Sequence, residues 1–395
     1  MTVVLILNKI VNFLFVASAL LFIDDIFKLG PTIIQATALS GIFVAFVSPF
    51  FYTVLADGYN QNTRTTVDSC LLAVYAIFSV VLLLSLFFKS SLLLLILLAL
   101  SLAARGICDA IISIEGRVLY RSLFILCVIE PIRWSLFFTA ESNDYLLIII
   151  LLSIPVVSDV VLRFKRYLHL SRSSLAVSMN LAAKVVRAPQ LQIAYKCIFV
   201  CQTEQLFIFF WAGSLSGQQS LIYIFAMQMV GLTMLFYLPY WMKLLRGSMH
   251  LSSAGKTSLI HQHTRFLYKT HVYLVLVITI LIANLFWFKP INNLIISLMA
   301  PISFFDQFKG LDIPIVLILV TLLTIFKSVF MDINLLAMDT FYYRKVAFTY
   351  SIFLFGLVIS ASGLPIENAL IVLIGIYGLS YIVSAVYRRS EVFMR

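Results

Sequence analysis

The stretch that decides the fold is residues 163–196, RFKRYLHLSRSSLAVSMNLAAKVVRAPQLQIAYK, the longest polar-rich interval in an otherwise apolar chain. It carries seven of the 28 Lys and Arg residues and neither Asp nor Glu. Apolar runs of about 20 residues lie on both sides of it, and a helix of that length crosses roughly 30 Å of hydrocarbon. The stretch therefore divides the sequence into two sets of predicted membrane spans.

The composition is typical of a membrane protein. Of the 395 residues, 62% are hydrophobic and 11% are charged, which leaves no room for a soluble catalytic domain. A net charge of +11 could indicate a nucleic-acid partner, but the basic residues lie in short connections on alternate sides of the spans. We therefore expect an all-α polytopic membrane protein without a nucleic-acid partner.

Six apolar runs precede the basic stretch and six follow it. This pattern predicts about 12 transmembrane helices in two six-helix bundles, residues 1–162 and residues 197–395. Residues 163–196 are predicted to form a basic cytoplasmic linker. Within it, LAVSMNLAAKVVRA repeats apolar residues at helical spacing, which predicts an amphipathic helix against the inner leaflet.

The distribution of Lys and Arg predicts the orientation of the spans. With both termini inside, the inner connections hold twenty of these residues and the outer connections hold four. The predicted outer four are Lys28, Lys89, Lys289 and Lys309. We therefore predict a multi-pass protein whose amino and carboxyl termini are both cytoplasmic.

Charged residues inside the spans are the candidates for function, because a charge at mid-bilayer costs roughly 2.5–3.5 kcal/mol on insertion scales. A cation there can attract an anionic head group, and the planar guanidinium of Arg offers phosphate several donors at once. The predicted substrate-binding residues are Arg105, Arg133, Lys327 and Lys9. A carboxylate at such a depth can bind a coupling ion. The predicted ion-coupling residues are Glu204, Glu130, Asp109 and Asp159.

A purely structural role for the same charges stays open. Arg105 and Asp109 are four residues apart, so they can meet on one helix face as a neutral bridge. Glu130 and Arg133, three residues apart, can do the same. Glu204 has no basic residue within four positions and can instead hold helices together through a hydrogen bond.

Motifs for other chemistry are absent from the sequence. It contains no Walker A sequence, Rossmann fingerprint, GxSxG or HExxH, which disfavours ATP-driven transport by this chain alone. His261 and His263 form an H-x-H in an inner loop without further ligands, so we expect no metal site. The expected cofactor list is therefore empty apart from H⁺ or Na⁺ as the coupling ion. Pro49, Pro131 and Pro155 fall inside predicted spans, where the missing N–H can kink a helix.

The plan of six spans, a linker and six spans resembles one transporter family across the whole chain. The local likeness is best at TEQLFIFFWAGSLSGQQSLIYIFAMQMVGLTMLFYLPYWMKLLR, residues 203–246. The matching positions are Glu204, Gly213, Gly217, Tyr223 and Ala226. In these features the chain resembles the polysaccharide-biosynthesis transporters, including O-antigen flippases, of the multidrug/oligosaccharidyl-lipid/polysaccharide exporter superfamily.

The resemblance implies a V-shaped pair of bundles in the bacterial inner (plasma) membrane. It implies a transporter and not an enzyme, one that moves an undecaprenyl-diphosphate-linked oligosaccharide by ion-coupled alternating access. The substrate would be an O-antigen or a related repeat unit of a surface polysaccharide. The implied partners are this lipid-linked oligosaccharide, membrane lipids, a polysaccharide polymerase and the chain-length machinery.

Two other classes stay open at this point. An ion-coupled small-molecule or drug exporter of the major facilitator or multidrug-extrusion type can also have 12 spans, but the chain lacks the Gly-Arg-Arg cluster of the major facilitators. A membrane polysaccharide polymerase would need a large outer loop or an acidic cluster outside the bilayer. The predicted outer loops here are short, which disfavours a polymerase.

Overall fold

The described part of the chain is helical and contains no strand. A computed structural model describes residues 2–22, 26–56, 61–88, 90–115, 118–139, 145–168, 203–217, 219–220, 222–228, 269, 273, 276–277, 280, 315–316, 318–324 and 363–376. For some helical residues, among them Lys9 and Asp109, it describes the backbone alone. The expected all-α class is therefore confirmed for the described residues.

The described helices before residue 213 cover the predicted spans, and several extend beyond them. They are α1 (Thr2–Phe22), α2 (Ile26–Ala56), α3 (Gln61–Phe88), α4 (Ser91–Glu115), α5 (Val118–Phe124), α6 (Glu130–Thr139), α7 (Tyr145–Ser153), α8 (Pro155–Leu168) and α9 (Thr203–Ala212). A π-helical turn, Ile125–Ile129, joins α5 to α6. The helix α2 continues through Pro49.

Three of the described helices are long and apolar enough to cross a membrane. They are Thr65–Phe88, Ser91–Cys108 and Leu119–Thr139. A fourth span results if Leu147–Ser153 and Ser158–Lys165, which meet at a bend of 46°, are one broken helix. The bend coincides with Pro155, whose ring cannot continue the hydrogen bonding of the preceding helix. Membrane-helix character is therefore confirmed, whereas the count of 12 spans and their orientation stay predictions.

The chain divides into two compact units, residues 3–213 and residues 214–395. The first unit includes α9, although the sequence places this span after the predicted linker. It also includes α8, which continues to Leu168, beyond the predicted end of the first bundle at residue 162. Charged residues near the end of α8 and the start of α9 therefore lie in helices of the first unit and not in connections.

In the first unit, α4 is an enclosed helix and α3 a peripheral one. From Leu93 to Cys108, α4 has no exposed residue, because α2, α3, α7 and α8 pack around it. The outer face of α3 instead exposes apolar side chains such as Ile77, Leu83 and Phe87. Exposed apolar side chains on a peripheral helix suit contact with lipid.

The second helix to pack extensively on α2 is α9, and the two run antiparallel. Gln35 of α2 donates from Nε2 to the carbonyl oxygen of Phe209, 3.2 Å away. Two turns later on α2, a Cβ placed on Gly41 would lie 3.1 Å from Cδ of Gln205. The contact on α9 thus moves backward as the contact on α2 moves forward. Glycine at position 41 permits this close approach, as small residues do between membrane helices.

The described part of the second unit begins with a capped helix. Ser216 and Gln219 form a capping box, in which the N–H of each donates to the side chain of the other. Gly363 has φ of +97°, a conformation that side chains other than glycine rarely adopt. Its N–H donates to Oγ of Ser214, 3.2 Å away. The apolar helix Ile366–Ile376 follows this turn.

Candidate functional site

Buried charges in the first unit form three ion pairs among the described residues. They connect α3 with α8, α5 with α8, and two residues within α6. The pairs are Asp68–Arg163, Arg121–Asp159 and Glu130–Arg133. Pairing makes each charge tolerable in an apolar bundle, since removing one partner of a buried pair leaves a costly uncompensated charge.

One face of α8 supplies two of these pairs. Asp159 and Arg163 are four residues apart on α8, which places them on the same face. Asp159 accepts hydrogen bonds from Nε and Nη2 of Arg121, the latter over 2.8 Å. Arg163 donates from Nη1 to Oδ1 of Asp68 over 2.7 Å. We call these four residues the α8 clamp, because they tie α8 to both α5 and α3.

A second polar contact lies near the clamp. The hydroxyl of Tyr75 on α3 is 2.7 Å from Sγ of Cys108 on α4, and both groups are buried. The ring of Tyr75 also meets the ring of Tyr167 edge-on, with centroids 6.4 Å apart. The charges of Asp159 and Arg163 lie within electrostatic range of Cys108. The clamp and this contact together connect α3, α4, α5 and α8.

Arg133 lies in a different setting, between α6 and α1. Its Nη2 is 2.8 Å from Oε2 of Glu130, and its Nη1 donates to Oδ1 of Asn12 over 3.2 Å. Its Cζ stands 3.8 Å from the centroid of the Phe15 ring, the geometry of a cation–π contact. Phe15 is packed edge-on against Trp134. The guanidinium is fully buried and contacts Glu130, Asn12 and Phe15.

The π-helical turn explains how both Arg121 and Arg133 reach the interior. Glu130 donates its backbone N–H to the carbonyl of Ile125, five residues back, which inserts one extra residue into the turn. Buried positions on α5 and α6 recur every four residues: Arg121, Ile125, Ile129, Arg133 and Phe137. In a regular α-helix, a spacing of four rotates about 40° per step away from one face. The π turn corrects this drift.

Arg105 is not a member of any of these three ion pairs. It lies on the enclosed helix α4 and is half-buried. The charges of Glu130, Asp159 and Arg121 act on it. The three carboxylates and three arginines of the ion pairs are nevertheless matched to one another, and Arg105 forms no ion pair with a residue whose side chain is described.

Glu204 is buried in the first turn of α9. The next residue, Gln205, packs against Gly41 of α2. One turn further along α2, Val44 packs against the residue that follows Arg105. Glu204 and Arg105 are therefore held at similar heights along α2, on two helices that both pack against it.

Most residues predicted as functional lie inside the first unit. Five of the eight are described with their side chains and are buried or half-buried: Arg105, Glu130, Arg133, Asp159 and Glu204. The predicted ion pair between Glu130 and Arg133 is confirmed. Lys9 and Asp109 are described by their backbone alone, and Lys327 lies outside the described residues. The predicted roles of all eight in binding and coupling stay predictions.

Sequence reasoning missed three members of the α8 clamp. Asp68 and Arg121 are not among the predicted site residues, and Arg163 falls in the predicted linker. The helices α3, α5 and α8 include all three, and each is buried. A usable signal was the spacing of four between Asp159 and Arg163, which continues the helix pattern beyond the predicted boundary.

Comparisons with known proteins add no assignment to this geometry. No protein-family model, no curated protein and no solved structure matches the chain. Within the described residues, no three His, Cys, Asp or Glu side chains come close enough together to hold a metal ion. The buried charges are therefore the features of the molecule that bear on its function.

Proposed function

We propose that the chain is a flippase, which moves an undecaprenyl-diphosphate-linked oligosaccharide across the bacterial inner membrane. The substrate would be an O-antigen or a related repeat unit of a surface polysaccharide. Transport would use alternating access of two six-helix bundles with cytoplasmic termini, coupled to H⁺ or Na⁺. In this proposal, Arg105 binds the diphosphate and Glu204 binds the coupling ion.

The buried charge of Arg105 carries the proposal. It lies on a helix whose residues 93–108 are all buried or half-buried, so the charge lies inside the first unit. A charge at this depth is costly and is a functional-site hypothesis by default. The three other described buried arginines of α3 to α8 have carboxylate partners, and Arg105 has none among the described residues. An anionic group of a ligand can supply the missing partner.

The sign of this charge favours an anionic substrate over a cationic drug. The carboxylates that lie in electrostatic range of Arg105, Glu130 and Asp159, are already paired with Arg133 and Arg121. A cationic drug entering here would be repelled by the positive charge of Arg105. A diphosphate would meet a donor whose planar geometry matches its oxygens. We therefore rank the drug exporter second.

The direction of α9 agrees with the proposed topology. In that topology α2 is the second span and α9 belongs to the seventh, so an odd number of crossings separates them. Two such spans have to run in opposite directions. The contacts of Gln35 and Gly41 with α9 run antiparallel. This parity agrees with six crossings before α9 and disagrees with five or seven.

The test is transport by the purified full-length chain in proteoliposomes. A fluorescent undecaprenyl-diphosphate-linked oligosaccharide is incorporated into the vesicle membrane. Dithionite added outside quenches only the fluorophores in the outer leaflet, so the fraction that it quenches measures how much lipid has left that leaflet. We expect transport by the parent chain, a loss of tenfold or more in Arg105→Gln, and partial activity in Arg105→Lys. Lys165→Gln, which removes an exposed positive charge on α8, is the matched control and should behave as the parent.

Two results would overturn this proposal. One is a parent rate no higher than that of protein-free vesicles, while a cationic dye is extruded along an ion gradient. The other is full transport by Arg105→Gln, which would remove the residue on which the assignment depends.

A further inference from the structure

The Nε and Nη2 edge of the guanidinium group is hydrogen-bonded in Arg121 but not in Arg133. Arg121 donates from Nε and Nη2 to the two carboxylate oxygens of Asp159. This side-on geometry holds an oxyanion through two parallel hydrogen bonds. In Arg133, the Nε and Nη2 atoms are buried and have no aligned hydrogen bond to a described residue. Oε2 of Glu130 lies 2.8 Å from Nη2 but makes no aligned hydrogen bond either.

The position of Arg133 is nevertheless fixed. Asn12 accepts a hydrogen bond from Nη1, on the other side of the group, and the Phe15 ring covers one face. Asn8 lies one turn before Asn12 on the same face of α1, and its buried Oδ1 has no partner among the described residues. Buried polar groups normally have hydrogen-bond partners, so several unsatisfied groups in one seam need an explanation.

We propose that the Nε and Nη2 edge of Arg133 binds a phosphate oxyanion, and that Glu130 is the internal competitor for this edge. The inference rests on the proposed function, because the diphosphate of the lipid-linked substrate is the expected source of the oxyanion. The Nε and Nη2 edge of Arg133 consists of the same two donors that Arg121 uses for Asp159, and the amide of Asn8 can rotate to donate a further hydrogen bond. Glu130 holds the edge closed while no anion is present.

Exchange of the two anions couples binding to a proton. When a phosphate oxygen takes the place of Oε2, the carboxylate of Glu130 loses its counterion in a buried position. Such a carboxylate takes up a proton from the aqueous phase and becomes neutral, because burial disfavours the charged form. One anion bound therefore corresponds to one proton taken up, and release of the anion returns the proton. The site thereby links binding of the substrate to uptake of a proton at Glu130, in addition to the ion proposed to bind Glu204.

The neighbouring charges are compatible with this exchange. Arg105 on α4 lies within electrostatic range of both Glu130 and Arg133 and favours an anion in the same region. On α1, Lys9 is the charged residue next to the Asn8 and Asn12 face, and its side chain is not among those described. The described residues of α7 that pack on α6, Leu147–Ser153, carry no titratable group. Arg133 is fully buried, so the anion enters only when the contact between α1 and α6 opens.

The test measures anion binding and proton uptake on the detergent-purified full chain. Two probes distinguish the source of the phosphate: inorganic pyrophosphate in solution, and undecaprenyl diphosphate in mixed micelles. Binding is followed by calorimetry, and protons are counted with a pH indicator in weak buffer. We expect the parent to bind at least one probe and to take up close to one proton per anion. Lys165→Gln, the exposed control, should match the parent.

The variants separate the two halves of the proposal. Arg133→Gln and Arg133→Lys should each weaken binding tenfold or more. Because lysine keeps a positive charge near Glu130, we expect Arg133→Lys to stay folded. A normal melting temperature of Arg133→Lys then shows that its loss of binding is not caused by misfolding. Glu130→Gln should bind as tightly as the parent or more tightly, and should take up no proton. Unchanged binding by folded Arg133→Lys, or proton uptake retained in Glu130→Gln, would overturn the inference. The inference is also overturned if neither probe binds. Transport that still depends on Arg105 would then leave the proposed function standing.

Discussion

Arg121 and Asp159 meet edge-on inside the first unit, where two nitrogens of one guanidinium edge donate to both oxygens of one carboxylate. Asp159 is fully buried and Arg121 nearly so. This contact fastens α5 to α8, while Arg163, four residues further along α8, fastens the same helix to Asp68 of α3. The position of α8 is thus determined by paired charges on one face, and the other face exposes apolar side chains such as Phe164.

Asp159→Asn should destabilise the chain strongly. It leaves the Arg121 guanidinium buried without a counter-charge, a change that typically costs about 3–5 kcal/mol. The double variant Arg121→Met with Asp159→Leu should be closer to the parent, because apolar side chains of similar volume need no counter-charge. Thermal unfolding of the detergent-purified proteins measures both. Lys165→Gln on the exposed side of α8 should unfold as the parent does, and a stable Asp159→Asn would contradict a structural role for the pair.

Gly41→Leu should weaken the packing of α2 against α9. Even a single Cβ at this position lies 3.1 Å from Cδ of Gln205, so a leucine forces the helices apart, and overpacking costs about 1–3 kcal/mol. Adding Gln205→Ala should recover part of the loss by making room. Gly375→Leu is the matched control, because nothing lies within 4 Å of a Cβ at that position. Equal melting temperatures for the Gly41 and Gly375 variants would argue against the close approach.

Tyr75→Phe should lower stability modestly. It removes the hydroxyl that contacts Sγ of Cys108, and a buried hydrogen bond contributes about 0.5–1.5 kcal/mol. A double-mutant cycle with Cys108→Ala isolates the pairwise part, because losses that do not involve the contact cancel. Tyr120→Phe, which changes an exposed tyrosine on α5, is the control. Strictly additive effects of the Tyr75 and Cys108 substitutions would show that the contact contributes nothing.

The spans and the short-range pair could be predicted from the sequence because both depend on local spacing. Apolar runs predict the positions of the helices, although α2 and α3 begin six to nine residues before their apolar runs, and a separation of three residues predicts the contact between Glu130 and Arg133. Long-range pairing could not be predicted in this way. Nothing local indicates that Arg133 meets Asn12, 121 residues earlier, or that Arg163 meets Asp68 across 95 residues. Those contacts depend on which helices become neighbours.

The alignment of Arg121 with Arg133 was also beyond local reasoning. In a regular α-helix, a separation of twelve positions rotates the chain by about 120°, so only one of the two could face the interior. The π turn at Ile125–Ile129 absorbs one residue and reduces this angle to about 20°. Pro131 suggested an irregularity in the span, because its ring disfavours a regular helix around it. It did not reveal that the irregularity restores the register.

Deleting Val128 in a Pro131→Ala background should therefore be tolerated, whereas inserting an alanine after Val128 should not. Val128 is an exposed residue of the π turn, and its deletion leaves Arg121 and Arg133 eleven positions apart in a regular α-helix, which keeps both arginines inward. The insertion rotates Arg133 away from Asn12 and toward lipid, where an arginine costs roughly 2.5–3.5 kcal/mol.

Thermal unfolding of both length variants, compared with Pro131→Ala alone, decides between these outcomes. The deletion should lie within about 1 kcal/mol of that reference, since large losses come from buried features that it leaves in place. The insertion should lose both stability and the anion binding assigned to Arg133. If the two variants are equally stable, the π turn does not control which way Arg133 faces, and the buried position of its guanidinium would have to come from the packing of α1 alone.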